Sequence, residues 1–150
     1  MAVMIIKIPR VRFERGKENA EYKSGNEILE LVRKKYKKFG TLALEEIHVD
    51  NSKQQEADKL IFQNSCEELE KNERVIFIGG DGTASKEIKR AYKKVFGSLE
   101  GFLSFDFNEE IKNIKTEKNL KCIEIFNIKK EEKAKIKKAV EIMGEFIGQY

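Results

Sequence analysis

The chain of 150 residues predicts an α/β fold, a three-layer sandwich in which helices cover both faces of a five-stranded parallel sheet. Two observations predict this fold. Short apolar runs alternate along the chain with segments whose apolar residues recur every three or four positions, as strands and helices do. A glycine-rich turn also follows one of the apolar runs directly and precedes a helical pattern. At this length one domain over residues 1–150 is expected.

The predicted strands are short and rich in apolar residues. They are Met4–Ile8, Glu46–Val49, Val75–Ile78, Gly101–Phe105 and Lys121–Phe126. The only histidine, His48, alternates with Ile47 and Val49. This alternation predicts a histidine on one face of the second strand.

Helical spacing of apolar residues predicts the segments between the strands. Ser24-Gly25-Asn26 offers a cap for the first helix, which ends at Gly40, and Ser52–Gln55 is a capping box for the second. Gly97 ends the third helix, and the last helix must lie on the sheet. The expected buried stripes are Ile28, Leu29, Val32 and Tyr36; Ala57, Leu60, Ile61 and Leu69; Ile88, Ala91, Tyr92 and Val95; and Ile136, Ala139, Val140, Met143 and Ile147.

Two long connections interrupt this regular pattern, Pro9–Ser24 and Asn108–Asn119. The second holds little beyond a helical turn around Ile111 and Ile114. Connections of this length in a compact domain are usually functional or mobile.

Charge and composition exclude several classes of protein. The 30 basic and 26 acidic residues leave a net charge of +4, and the two signs are interleaved, so no one-signed face for nucleic acid is expected. No apolar run approaches the roughly 20 residues that span a bilayer, and the start lacks a signal peptide's order. We expect a cytoplasmic protein with no membrane contact. Cys66 and Cys122 are isolated and suggest neither a metal knuckle nor a disulfide framework.

The glycine-rich turn is the most informative local feature. The apolar run Val75–Ile78 leads into Gly79-Gly80-Asp81-Gly82-Thr83. The glycines permit positive φ and close approach to a ligand, and Thr83 or Ser85 is suited to cap the following helix. Any chemistry is expected near Asp81. The alternative is a purely structural turn in which Asp81 bonds its own amides.

Segments spread along the chain resemble the arginase, agmatinase and formiminoglutamase (ureohydrolase) superfamily. Ile5–Pro9 is similar to its first strand, Ser24–Ile28 to its G-P-x-x-I helix start, and Ile47–Asp50 to its second strand. Glu73–Asp81 is similar to its third strand and G-G-D-H-S signature, and Cys122–Asn127 to its E-x-N-P strand.

The resemblance implies an arginase-like sheet in the order 2-1-3-5-4. The carboxyl ends of these strands would then gather polar side chains around one cleft. Glu124 stands where the family's glutamate contacts the substrate's guanidinium. The expected cleft residues are Asp50, Asp81, Thr83, Asp106, Asn108 and Glu124.

The resemblance fails where the family's chemistry lies. That family binds two manganese ions through the histidine of G-G-D-H, a D-A-H-x-D motif and the aspartates of S-x-D-x-D. Here Gly82 stands at the histidine position, no D-A-H-x-D segment exists, and Asn108 replaces the second aspartate, which leaves Asp106. Each lost ligand costs roughly tenfold or more in metal affinity or activity. The chain therefore resembles a shortened, degenerate relative, with no cofactor expected and Asp81 and Asp106 as weak metal candidates.

A second resemblance is local. Gly79–Thr83 is similar to the motif of NAD kinases and diacylglycerol kinases, whose glycine turn receives nucleotide phosphates and whose aspartate works with magnesium or as a base. Those enzymes complete the site with a largely β domain that carries a T-G-S-T-A-Y segment. Nothing after Thr83 matches that segment.

Three functions follow, and whether the protein is an enzyme stays open. The first is a non-catalytic binding or interaction module, a pseudoenzyme. The second is a residual hydrolase that uses manganese with Asp81, Asp106 and Glu109 or Glu110. The third is a small nucleotide-binding or phosphotransfer protein. The ligand-binding candidates are Gly79, Gly80, Asp81, Gly82, Thr83, Asp106, Asn108 and Glu124.

A five-stranded sheet of this kind exposes an edge that pairing usually hides. We expect a homodimer or a complex with a longer homologue. The edge beyond Gly101–Phe105 is the predicted interface, with Phe102 and Phe107 as candidate contacts.

Overall fold

A computed structural model describes residues 3–11, 25–35, 43–114 and 119–148. Its five strands form one parallel sheet in the order β2-β1-β3-β5-β4, which confirms the predicted order. The strands are β1 Val3–Lys7, β2 Ala43–Glu46, β3 Arg74–Ile78, β4 Phe102–Asp106 and β5 Cys122–Phe126.

In the described part of the chain, four α-helices complete the three layers. They are α1 Gly25–Lys35, α2 Gln54–Lys71, α3 Ser85–Phe96 and α4 Lys133–Ile147, and a 3-10 turn covers Ile111–Asn113. One apolar cluster joins α1 and α4 to the sheet, and a second joins α2 and α3 to it. The α/β fold predicted from the sequence is therefore confirmed.

Alternation along the strands explains the two clusters, because successive side chains point to opposite faces of a sheet. Ile5 and Ile76 belong to the α1–α4 side, whereas Ile6 and Phe77 belong to the α2–α3 side. The central strand β3 is apolar on both faces, as a strand covered by two helix layers must be. On β5 the same alternation turns Glu124 toward the α2–α3 side, since its neighbours Cys122 and Phe126 lie there.

The second strand ends where it was expected to begin. β2 stops at Glu46, which pairs with Lys7, because β1 itself ends there and Pro9 follows. His48 therefore lies beyond the strand, and its side chain is 84% exposed with Nδ1 3.4 Å from the Glu46 carboxylate. The prediction of a strand-face histidine is wrong.

The N-terminal caps predicted for the second and third helices are also wrong. Ser52 does not cap α2, since its amide and hydroxyl both donate to Asp50 Oδ1. Neither Thr83 nor Ser85 caps α3, because each hydroxyl bonds a carboxylate instead. Ser24, Tyr36 and Gly40, on which the predicted limits of the first helix rest, lie outside the described residues, as does most of the connection Pro9–Ser24.

The predicted apolar stripes are largely confirmed. All five stripe residues of α4 are buried, and Gly97 ends α3 in the left-handed conformation at φ 85°. Leu60 is an exception, since 38% of it is exposed. The helical turn expected in the connection after β4 is confirmed as the 3-10 turn.

The two phenylalanines proposed as partner contacts have different positions. Phe107 is fully buried, with its ring 5.3 Å from that of Phe105, so it cannot contact a partner and that prediction is wrong. Phe102 is half-buried, and its ring meets Tyr92 edge-on at 5.2 Å. Within the described ranges no helix is long and apolar enough to cross a membrane.

Candidate functional site

The glycine turn between β3 and α3 is held against the ends of β1 and β5. Gly79 donates its amide to the Ile125 carbonyl at 3.0 Å, and the Gly80 carbonyl accepts the Asn127 amide at 3.0 Å. Gly80 has φ 79°, and a Cβ atom there would lie 2.3 Å from the Arg10 carbonyl oxygen. No side chain fits at that distance, so this close approach requires glycine.

Gly82 has different surroundings. Its φ is 90°, but the nearest atom to a built Cβ is Asn127 Nδ2 at 3.8 Å. This distance is an ordinary contact. Gly82 is therefore required by its backbone conformation, whereas Gly80 is required by both conformation and space.

Asp81 bonds Thr83, which lies two residues before the start of α3. Its Oδ1 accepts the Thr83 amide at 3.0 Å and the Thr83 hydroxyl at 2.5 Å, while its own amide faces the Arg10 carbonyl at 3.4 Å. A phosphate at a helix N-terminus would need such amides. The Asp81 carboxylate already uses the Thr83 amide, as the structural alternative predicted.

Asp106 is bonded to the ends of two strands. Its Oδ1 accepts the Asn108 amide and the Asn127 side-chain amide, each at 2.9 Å. Asn127 has φ 56° and links Asp106 to Gly80. Asn127 was not among the predicted site residues, although asparagine directly after a strand is a signal for positive φ.

Glu124 lies beneath this edge and not on it. It stands opposite Ser104 in the sheet and is 0% exposed. Its Oε1 accepts the hydroxyls of Ser85 at 2.5 Å and Ser104 at 2.7 Å, and Lys89 Nζ lies 3.8 Å away. The oxygen Oε2 is buried without a hydrogen-bond partner among the described residues. A guanidinium could reach this carboxylate only after displacing its surroundings.

Burial raises the pKa of Glu124 to about 7. The hydroxyls of Ser85 and Ser104 and the ammonium of Lys89 oppose the rise, and the charge of Asp106 adds to it. Desolvation outweighs these donors because the charged form loses its water on every side.

A buried arginine just beyond β1, Arg10, was not among the predicted site residues. Arg10 is 1% exposed, and its Nε and Nη2 both lie 3.1 Å from Asp58 Oδ1 on α2. Nη1 donates to the Val11 carbonyl and to Asn51 Oδ1. This network fixes the Arg10 carbonyl that Gly80 approaches. Nothing in the pattern around Pro9 distinguishes this arginine from a solvated one.

The remaining candidates lie at separate places. Asp50 follows the edge strand β2 and accepts the Ser52 hydroxyl, which lowers the pKa of Asp50. Since β2 and β4 are opposite edges of the sheet, roughly 19 Å separates them at about 4.8 Å per strand. Asn108 is exposed, and its Oδ1 accepts Lys129 Nζ at 2.8 Å. The structure thus brings together the glycine turn, Asp81, Asp106 and Asn127, and leaves Asp50 apart.

These residues do not fit a manganese pair. In residues 3–11, 25–35, 43–114 and 119–148 no three histidine, cysteine, aspartate or glutamate side chains converge to hold a metal ion. Gly82 offers no side-chain donor, and a lysine ammonium occupies the Asn108 oxygen. Glu110 pairs with Lys112 at 3.0 Å.

A comparison with known proteins finds a solved structure that is similar to this chain. No protein-family model and no curated protein sequence match the chain. The chain is similar to the crystal structure of a hypothetical agmatinase from Burkholderia thailandensis, with a TM-score of 0.51 and 16% sequence identity. The fold is arginase-like. The match covers 70% of this chain but only 37% of that agmatinase, so the chain spans far less than the length of the protein it resembles.

The two glycines of the turn give a matched pair of variants. Gly80→Ala should lower the free energy of unfolding by about 2 kcal/mol or more, because backbone strain adds to a collision with the Arg10 carbonyl. Gly82→Ala should cost about 1 kcal/mol, from backbone strain alone. Denaturant unfolding of both variants and the wild type measures the difference. Equal losses would contradict the close approach at Gly80.

The stability of the protein should depend on the protonation of Glu124. A glutamate whose pKa is raised by folding contributes stability below its unfolded value of 4.5 and loses it as the pH rises to about 7. At about 1.4 kcal/mol per pKa unit the loss is on the order of 3 kcal/mol. Unfolding curves across this range, for wild type and Glu124→Gln, measure it. A Glu124→Gln variant with the same pH slope as wild type would refute this assignment.

Proposed function

We propose that this chain is a degenerate arginase-like domain that acts as a binding or interaction module and does not carry out manganese-dependent hydrolysis. The proposal rests on the hydrogen bonds that the carboxylates at the carboxyl edge of the sheet accept. Asp81 and Asp106 each accept two hydrogen bonds from the protein through one oxygen. One oxygen of each carboxylate is therefore already used by amide or hydroxyl donors of the protein itself.

The position of Lys129 supports the same proposal. Its ammonium donates to Asn108 Oδ1 at 2.8 Å, at the residue that replaces the second aspartate of the S-x-D-x-D pattern. A divalent cation could bind this oxygen only if the Lys129 ammonium moved away, because two cations at this distance repel each other. The hydrolase alternative is therefore disfavoured at Asn108 as well as at Gly82.

The surface that we assign to ligand binding is the carboxyl edge formed by Gly79–Thr83, Asp106 and Asn108. Open parallel sheets place their ligands at this edge. The hydrogen bonds from Asn127 to Gly80 and Asp106 hold the ends of β3, β4 and β5 together, so the surface is preorganised. The phosphate-binding alternative is weaker, because the Thr83 amide already donates to the Asp81 carboxylate.

Manganese loading tests whether the chain lacks manganese-dependent hydrolase activity. We expect substoichiometric manganese after loading and desalting, and no urea from agmatine or arginine, because the ligand set is incomplete. Elemental analysis and a urea assay measure the two, with a manganese-loaded agmatinase as the positive control. Two tightly held ions per chain, together with urea formation that Asp106→Asn abolishes, would overturn the proposal.

We also propose that the protein works in the cytoplasm as a homodimer or in complex with a longer homologue, through the outer edge of β4. Among the described residues β4 is at the edge of the sheet, with β5 as its neighbour on one side. An unpaired strand edge favours such pairing.

Sedimentation velocity at micromolar concentration tests the assembly. We expect a mass of twice 17.4 kDa for the protein alone, because two β4 edges can pair. A proline at Ser104 should return the protein to monomer if it still folds, with folding checked by circular dichroism. A monomer that also fails to bind a purified arginase-like protein from the same cell would contradict this proposal.

A further inference from the structure

The Glu124 carboxyl group is ionisable, yet it is buried between the sheet and α3. Its side chain lies among the apolar residues of the α2–α3 side and is 0% exposed. One oxygen, Oε1, accepts hydrogen bonds from two hydroxyls. One belongs to Ser85, the first residue of α3, and the other to Ser104 on β4. The other oxygen, Oε2, is buried and has no hydrogen-bond partner in the described part of the chain. The donors are therefore distributed unequally between the two oxygens.

The charged groups that face Glu124 do not balance a negative charge. Lys89 approaches from α3 with its ammonium 3.8 Å from Oε1, but its side chain is 41% exposed and shared with water. Asp106, on β4, is a like charge. On β5 the buried Cys122 thiol is neutral, and on β3 the opposite position is Phe77.

An ionised carboxylate away from water requires donors on both oxygens, and leaving one without donors is costly. The arrangement around Glu124 satisfies only one. It therefore suits the neutral acid better than the carboxylate, because an unpaired buried hydroxyl costs less than an uncompensated buried charge.

We propose that proton exchange at Glu124 operates a latch between α3 and the sheet. With Glu124 neutral, Ser85 holds the first turn of α3 on β4 and β5. When Glu124 ionises, Oε2 requires a donor, and water or the Lys89 ammonium enters the interface and loosens that turn. The first turn of α3 directly follows Gly79–Thr83, so the latch adjusts the edge to which we assign ligand binding. This last consequence rests on the proposed function, whereas the latch itself does not.

Hydrogen exchange of backbone amides tests the latch on the whole protein. We compare residues 85–92 of α3 with residues 139–147 of α4 at several pH values between 4.5 and about 7, after correction for intrinsic exchange rates. The latch predicts that α3 opens more readily than α4 while the rest stays folded. Its opening constant should rise up to about tenfold per pH unit and level off above about 7, because opening frees Glu124 to ionise.

Two variants separate this effect from others. Glu124→Gln should abolish the pH dependence of α3 opening. Glu87→Gln, which removes another buried carboxylate of the same helix, should leave it unchanged. Lys89→Met removes the nearby ammonium and should move the levelling-off to higher pH, and this variant decides the matter even if Glu124→Gln does not fold.

Three outcomes would overturn the latch. The first is α3 exchange that is faster than that of α4 but independent of pH. The second is α3 exchange at the same rate as α4, which would mean that Glu124 affects only global unfolding. The third is an unchanged pH dependence in Glu124→Gln or Lys89→Met. Since none of these measurements uses a ligand, the latch can fail while the binding proposal stands, and the reverse also holds.

Discussion

The turn after β3 lies so close to the end of β1 that a Cβ atom at Gly80 would come within 2.3 Å of the Arg10 carbonyl oxygen. The Arg10 side chain keeps that carbonyl in place, because its buried guanidinium bonds Asp58 on α2 and Asn51 before it. The backbone of two neighbouring strands is thereby fixed where α3 begins. Asp81 and Ser85 follow within five residues, so their positions depend on this contact.

The polar groups around this contact satisfy one another. Asn127 donates its backbone amide to Gly80 and its side-chain amide to Asp106, so one residue connects three strand ends. Carboxylates gathered at one sheet edge repel each other unless donors or cations offset their charges. Here neutral amides and hydroxyls are the donors to Asp81 and Asp106.

The sequence alone was sufficient to predict the helices and strands whose apolar pattern results from burial. The α4 stripe and the central β3 strand are recognisable because helices and strands covered by other layers leave long apolar repeats. The limits of β2 depend instead on where its neighbour β1 stops, which no local pattern contains. The serine and threonine caps failed for a related reason. Their hydroxyls had carboxylate acceptors nearby in space, and those acceptors belong partly to distant segments such as β5.

Glu124 shows most clearly what pattern alone could not predict about the site. In Cys122–Phe126 the glutamate alternates with isoleucines, and this alternation is equally consistent with a solvent-facing and a covered side chain. The covering helix α3 decides between them, since it begins at Ser85, directly above β5 and β4. The two carboxylates on these neighbouring strands therefore differ in burial and in hydrogen bonding. Asp106 is half-buried and has two amide donors, whereas Glu124 has lost its water and keeps one oxygen without a donor. Burial therefore raises the pKa of Glu124 to about 7, so this side chain binds a proton near neutral pH.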